Sequence, residues 1–89
     1  MKWQVDGKDY EYDGEFNEGV FSGNGTLTTP KGEYVGSFVN GKKNGKGKFR
    51  WNDGSYFIGT YVNDQKNGDG ILYDKNDKVL RAGKWENNK

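Results

Sequence analysis

The densest group of residues with potential chemistry in this 89-residue chain is a run of cations near its centre. Five basic side chains fall between positions 42 and 50: Lys42, Lys43, Lys46, Lys48 and Arg50. Near an anionic membrane each such charge contributes about 1 kcal/mol to adsorption. The run therefore predicts a site for an anionic surface such as membrane phospholipid. The alternative is that these residues are the solvated side of a strand and its turn.

The charges of the chain are segregated along it, although the net charge is only +1. Residues 1–30 contain two lysines against six carboxylates, a net charge of −4. Residues 31–50 contain six basic side chains against one carboxylate, a net charge of +5, and residues 51–89 contain six of each sign. Complementary charges steer association, so acidic and basic segments favour head-to-tail contact between copies.

Basic residues also alternate with Phe49 and Trp51, and proteins that bind single-stranded nucleic acids combine cations with stacking rings. In a strand, however, alternate side chains point to opposite faces. This alternation predicts that the rings lie opposite Lys46, Lys48 and Arg50. The sequence therefore argues against a nucleic-acid partner.

Catalytic and metal-binding patterns are missing from the sequence. The chain has no His and no Cys, the residue types that supply the commonest general base and zinc ligands. Segment 74–77 resembles the opening of a calcium loop, but Val79 and Trp85 stand where such a loop needs Gly and Glu. The sequence therefore predicts a protein that is not an enzyme, with no catalytic residue, metal site, cofactor or small-molecule substrate.

Aromatic side chains are the other candidates for function. They make up 16% of the chain, which argues against disorder, because disordered segments contain few aromatic residues. One interpretation is that they form only the protein's own core. The other is that part of them stays open as a partner surface, since Tyr and Trp dominate the energetics of many interfaces. The predicted partner-binding residues are Tyr34, Phe38, Phe49, Trp51 and Tyr61.

An internal repeat of 22–23 residues positions these side chains. The pattern Tyr-x-Gly-x-Phe, followed by Gly-x-Gly-x-Leu, occurs in segment 12–27 and returns with substitutions in segments 34–49 and 57–72. Segment 83–85 begins a shorter fourth copy. Terminal copies of a repeat protein are commonly atypical.

Each copy predicts a β-hairpin. Apolar and polar residues alternate with a period of two, and Asn, Asp and Gly cluster between the alternating runs. Glycine lies on the same predicted face as the rings, so a ring from one strand can cover the bare backbone of its neighbour. The sequence therefore predicts an all-β fold, a single curved antiparallel meander of about eight strands without significant helix.

The repeat closely resembles the MORN repeat (membrane occupation and recognition nexus). Segment 34–54 carries the fullest copy, YVGSFVNGKKNGKGKFRWNDG, in which Asn44 stands where the family commonly has His. The resemblance implies stacked hairpins in an elongated sheet. It also implies a non-catalytic module that acts as a scaffold, a dimerisation surface or a membrane tether.

The predicted organisation is one domain over residues 1–89. A leading strand segment spans 2–11, repeats span about 12–33, 34–56 and 57–80, and a partial terminal repeat spans 81–87. The favoured function is a scaffold for protein interaction or self-association through the aromatic face or the edge strands. The alternative is an anionic-phospholipid tether through the basic hairpin 42–50. The sequence shows no signal peptide and no apolar run of membrane-spanning length, which slightly favours the cytoplasm.

Overall fold

The computed structural model describes residues 1–89 as one open antiparallel sheet in which the eight strands follow chain order. The fold contains no helix, so none could cross a membrane. A flat sheet would occupy about 10 Å in its thinnest dimension, whereas the molecule measures 36 × 25 × 19 Å, so the sheet is twisted and curved. The strands are β1 (Lys2–Val5), β2 (Lys8–Asn17), β3 (Val20–Thr29), β4 (Gly32–Val39), β5 (Lys42–Trp51), β6 (Tyr56–Val62), β7 (Gln65–Tyr73) and β8 (Val79–Trp85).

Two-residue turns in which both residues have positive φ join four of the hairpins. This is the geometry of a type I′ turn, whose twist matches that of the flanking strands. Asn, Asp and Gly adopt positive φ at least cost, which explains why the sequence clusters these types there. The turns are Asp6-Gly7, Glu18-Gly19, Asn40-Gly41 and Asn63-Asp64.

Three aromatic rings lie over glycine backbone, as the sequence predicts. Tyr12 of β2 covers Gly25 of β3, and Tyr34 of β4 covers Gly47 of β5. A Cβ atom at Gly47 would lie 2.5 Å from Tyr34 Cζ, which is far inside van der Waals contact. Phe57 of β6 covers Gly70 of β7 in the same way, since a Cβ atom at Gly70 would lie 2.6 Å from Phe57 Cε1. Only glycine leaves room for these rings.

The hydroxyl groups of two of these rings also hold the backbone. Tyr12 Oη donates to the carbonyl of Glu15 (2.7 Å), and Tyr34 Oη donates to the carbonyl of Ser37 (3.0 Å). Phe57 has no hydroxyl. The equivalent residue in β8 is Arg81, whose guanidinium lies 3.8 Å from the Trp85 ring centroid. This guanidinium also donates to the Lys84 carbonyl (3.3 Å). An arginine thus replaces the ring at the edge strand, where no further strand offers glycines to cover.

A bulge interrupts the pairing of each complete hairpin. The register shifts after Gly14, Gly36 and Gly59. The additional residues lie on the partner strand around a glycine with positive φ: Gly23, Gly45 or Gly68. Bulges increase twist and re-aim side chains, so each repeat bends at the same place.

One side of the sheet carries the core, and we call it the aromatic face. Six buried residues form it: Tyr12, Tyr34, Phe38, Phe57, Tyr61 and Trp85. Partly buried Phe49 and Trp51 pack against them, as do Trp3, Phe21, Leu27 and Leu72. The predicted placement of Phe38, Phe49 and Trp51 on one face is confirmed. Because the sheet has one layer, its core is covered only by its own side chains.

Candidate functional site: an aromatic groove containing two lysines

An open groove of about 420 Å³ lies on the aromatic face. Its walls include four aromatic side chains: Tyr10, Phe49, Trp51 and Tyr61. Four lysines also line it: Lys8, Lys31, Lys43 and Lys66. The only carboxylate among the lining residues is Asp64. The groove therefore combines apolar rings with an excess of positive charge.

Lys43 lies inside this groove. Its Nζ atom lies 5.6 Å from the centroids of the Tyr34 and Phe49 rings and 5.8 Å from that of Tyr61. Such cation–π contacts stabilise an ammonium group that has lost part of its water. Burial lowers the pKa of Lys43, and the charge of Asp64 partly opposes that decrease. The ammonium group thus contacts the rings but loses part of its hydration.

Lys66 occupies the corresponding place one repeat later. Its Nζ atom lies 5.3 Å from the Trp51 ring centroid, 5.5 Å from that of Phe57 and 5.7 Å from that of Trp85. Burial lowers the pKa of Lys66, and the charge of Lys43 lowers it further. The two ammonium groups therefore act on each other within one groove.

The turn of the following repeat fixes the backbone of each lysine. The N–H group of Lys43 donates to Asp64 Oδ1 (2.7 Å), while the Asp64 N–H group donates to the Lys43 carbonyl (2.9 Å). Asn88 makes the same two bonds with Lys66, at 2.7 and 3.0 Å. Asp64 stands where the preceding repeat has Gly41. Its side chain supplies an acceptor that glycine lacks.

Phe21 is the counterpart of these lysines in the first repeat. Its ring stacks on Tyr12 with 3.8 Å between centroids and 10° between planes. Phe21, Lys43 and Lys66 thus cover the buried rings of successive repeats, and we call them the cover positions. Their chemistry changes along the sheet from one apolar residue to two cations.

The aromatic residues predicted to bind a partner divide into two groups. Tyr34, Phe38 and Tyr61 are only 0%, 2% and 3% exposed, because neighbouring rings and Lys43 cover them. They belong to the protein's own core, and direct partner contact by these three residues stays a prediction. Phe49 and Trp51 are only partly buried and line the groove. For these two residues, partner binding stays a prediction.

The predicted basic residues do not form one face. Lys42, Lys46, Lys48 and Arg50 pair across the sheet with Val39, Thr60, Val35 and Glu33, on the side opposite the aromatic face. Lys43 pairs with Phe38 and lies on the aromatic face. The prediction of a single basic surface is therefore wrong for Lys43, because this residue lies an even number of positions from Phe49.

The face opposite the aromatic face is not purely polar. Val35 and Ile58 flank Lys48 in the register, and they are 48% and 45% exposed. Tyr56 and Tyr73 stack there with centroids 4.6 Å apart, and Lys48 Nζ lies 4.6 Å from the Tyr56 centroid. The separation of rings from cations that is predicted for Phe49 and Trp51 thus does not extend to these two tyrosines.

No cluster of three or more His, Cys, Asp or Glu side chains could hold a metal ion. Asp74, at the start of the segment that resembles a calcium loop, uses its Oδ1 atom within a turn. This atom accepts the N–H groups of Asn76 (2.8 Å) and Lys78 (2.9 Å). The segment is a hydrogen-bonded turn.

Comparison with known families agrees with this architecture. The family model described as MORN repeat matches residues 12–33, 34–56 and 57–78, which together make up well over half of the chain. The matched segments begin at the three rings that lie over glycine: Tyr12, Tyr34 and Phe57. A search of curated proteins gave no match.

Proposed function

Because the chain belongs to the MORN repeat family, a repeat module generally implicated in protein or membrane interactions, we propose that it is a non-catalytic interaction scaffold. It holds a second polypeptide, or another copy of itself, on the aromatic face. The observation that carries this proposal is the open groove in which Phe49 and Trp51 stay partly exposed over a fully packed floor. Partly exposed Trp and Tyr around a recess are typical of binding surfaces.

The packing explains why the groove suits binding. Three of the six buried rings lie tightly on glycine backbone, which limits their movement before a partner arrives. Rigid surfaces lose little conformational entropy when they bind. The outer edge of β8 offers a second route for the same function, because its main chain lies at the end of the sheet and Val79 and Leu80 are exposed.

A selection of random peptides displayed on phage tests the proposal. We expect the enriched peptides to bind the parent chain and to lose at least tenfold in affinity for Trp51→Ala. Ile58→Ala is the matched control, because it removes an exposed apolar side chain from the opposite face. Sedimentation velocity at high concentration measures self-association in parallel. A strict monomer whose selected peptides bind Trp51→Ala normally would contradict the proposal.

The second candidate function is an anionic-phospholipid tether, and one observation favours it. Lys48 lies between the exposed aliphatic residues Val35 and Ile58. A surface with both cations and aliphatic side chains suits the interface of an anionic bilayer. Reversing Lys46 and Lys48 to Glu should abolish co-sedimentation with phosphatidylserine vesicles, whereas Lys84→Glu in β8 should have little effect. Equal binding by both variants would count against this function.

A further inference from the structure

We propose that the partner segment held in the groove is acidic, and that Lys43 and Lys66 anchor two of its carboxylates. This inference rests on the proposed function and names the chemistry of the partner. It goes beyond the sequence prediction, which assigns partner binding to aromatic residues and includes Lys43 only in a basic hairpin for an anionic surface such as membrane phospholipid.

The charge of the groove is complementary to that of an acidic segment. The ammonium groups of Lys43 and Lys66 line one groove, and burial has removed part of the water from both. Four lysines and one carboxylate line the groove. That carboxylate belongs to Asp64, and its Oδ1 atom already accepts the main-chain N–H of Lys43. An incoming carboxylate would replace lost hydration and reduce the repulsion between the two cations.

The shape of the site suits a polypeptide better than a membrane. Each ammonium group lies among three rings, within 6 Å of each centroid. A flat bilayer meets protruding side chains, such as those of Lys46 and Lys48 on the opposite face. A polypeptide can enter a recess and place carboxylates beside partly buried cations while its apolar side chains contact Phe49 and Trp51. We therefore assign the groove to a polypeptide and not to a membrane.

The cover positions have a regular spacing and a fixed order along the sheet. Lys43 on β5 and Lys66 on β7 are two strands apart, which corresponds to about 10 Å between their backbones. Phe21 on β3 lies another two strands away. A segment that crosses the strands would thus present one apolar group and then two carboxylates, at intervals of about 10 Å. This order gives the partner a defined direction on the sheet.

Calorimetric titration with synthetic peptides tests the inference. The probe contains a leucine and two glutamates, with spacers of different lengths between them, and a matched probe has glutamine in place of each glutamate. We expect the tightest acidic probe to bind at least tenfold more strongly than its glutamine counterpart, and increasing salt concentration to reduce the difference. We expect reversal of the leucine–glutamate order to weaken binding.

Lys43→Met and Lys66→Met remove the charges but keep an unbranched side chain over the rings. Each should weaken the acidic probe about tenfold and leave the glutamine probe unchanged. Lys46→Met and Lys48→Met are matched controls on the opposite face and should change neither affinity by more than about twofold. Circular dichroism spectra of all variants check that the sheet is intact.

The outcomes separate the inference from the proposed function. If Trp51→Ala weakens both probes while the lysine variants bind normally, the groove binds peptides without an acidic anchor and the inference is wrong. If Trp51→Ala also has no effect on either probe, the proposed function fails as well. Preference for a phosphoserine probe over the glutamate probe, or binding of phosphatidylserine vesicles that depends on Lys43 and Lys66, would also overturn the inference.

Discussion

Substitution of Gly47 by alanine tests the packing principle of the sheet most directly. A Cβ atom at Gly47 would lie 2.5 Å from Tyr34 Cζ, whereas carbon atoms in contact are about 3.5–4.0 Å apart. The Tyr34 ring would therefore have to move by about 1 Å. That movement would break the 3.0 Å hydrogen bond from its hydroxyl to the Ser37 carbonyl.

The expected cost follows from these changes. Overpacking a well-filled site costs about 1–3 kcal/mol, and the lost hydrogen bond adds about 1 kcal/mol. Alanine recovers about 0.5–1 kcal/mol, because glycine loses more conformational entropy on folding. We expect Gly47→Ala to lower the free energy of unfolding by about 2–3 kcal/mol. In a domain of this size that corresponds to a decrease in Tm of about 10–20 °C.

Urea denaturation followed by tryptophan fluorescence provides the assay, and a double-mutant cycle identifies the cause. Tyr34→Leu removes the atoms that obstruct Gly47, so Gly47→Ala should become nearly neutral in that background. Gly25→Ala is the matched control, because its Cβ atom would meet the ring of Tyr12, 2.6 Å from Cζ, and not that of Tyr34. Its cost should persist when the Tyr34 ring is removed. The reasoning is refuted if Gly47→Ala stays within about 0.5 kcal/mol of the parent protein, or costs the same in both backgrounds.

Three further predictions concern single contacts. Phe57→Tyr should direct a hydroxyl toward the Thr60 carbonyl and raise the free energy of unfolding, measured in urea, by about 1 kcal/mol. An unchanged free energy of unfolding would show that the bulge does not place this carbonyl within reach of the hydroxyl. Asp64→Ala should cost about 1–2 kcal/mol, because it removes the acceptor for the Lys43 N–H group and places alanine at φ 71°. Asp64→Asn should cost less than about 0.5 kcal/mol, and equal losses would exclude this hydrogen bond as the cause. Burial raises the pKa of Tyr34 from 10.0 to about 12; a backbone hydrogen bond opposes this increase and the charge of Asp64 adds to it. The unfolded chain therefore releases this proton at a lower pH than the folded chain does. The free energy of unfolding should thus fall as pH rises from 10 to 12. Urea titrations across this range should show a shallower fall for Tyr34→Phe, and an identical slope would contradict the assignment.

Much of the fold can be predicted from sequence because glycine and aromatic residues recur at fixed offsets. Period-two alternation places Phe38, Phe49 and Trp51 on one face, and the Asn, Asp and Gly clusters mark the turns. The rings lie over glycine as predicted, since no other residue leaves room for them. These features depend on local geometry, which every copy of the repeat specifies in the same way.

The site is harder to predict because it depends on how strands lie beside each other. Lys43 looks like part of a basic hairpin, yet its even spacing from Phe49 already indicates the aromatic face. The burial of Tyr34 follows from side chains of neighbouring strands, which the sequence of one repeat does not show. The stacking of Tyr56 on Tyr73 requires knowledge of which residues are paired across β6 and β7.

The ring-over-glycine unit has a consequence for how such chains change over evolutionary time. Contacts between elements are concentrated between adjacent strands, and each ring needs only the glycines of its own and the next strand. A genetic duplication or deletion of one period, with its boundaries in the turns, would preserve every such unit in the remaining hairpins. The sheet of such a protein can become longer or shorter in steps of about 10 Å, and the packing of its remaining rings stays the same.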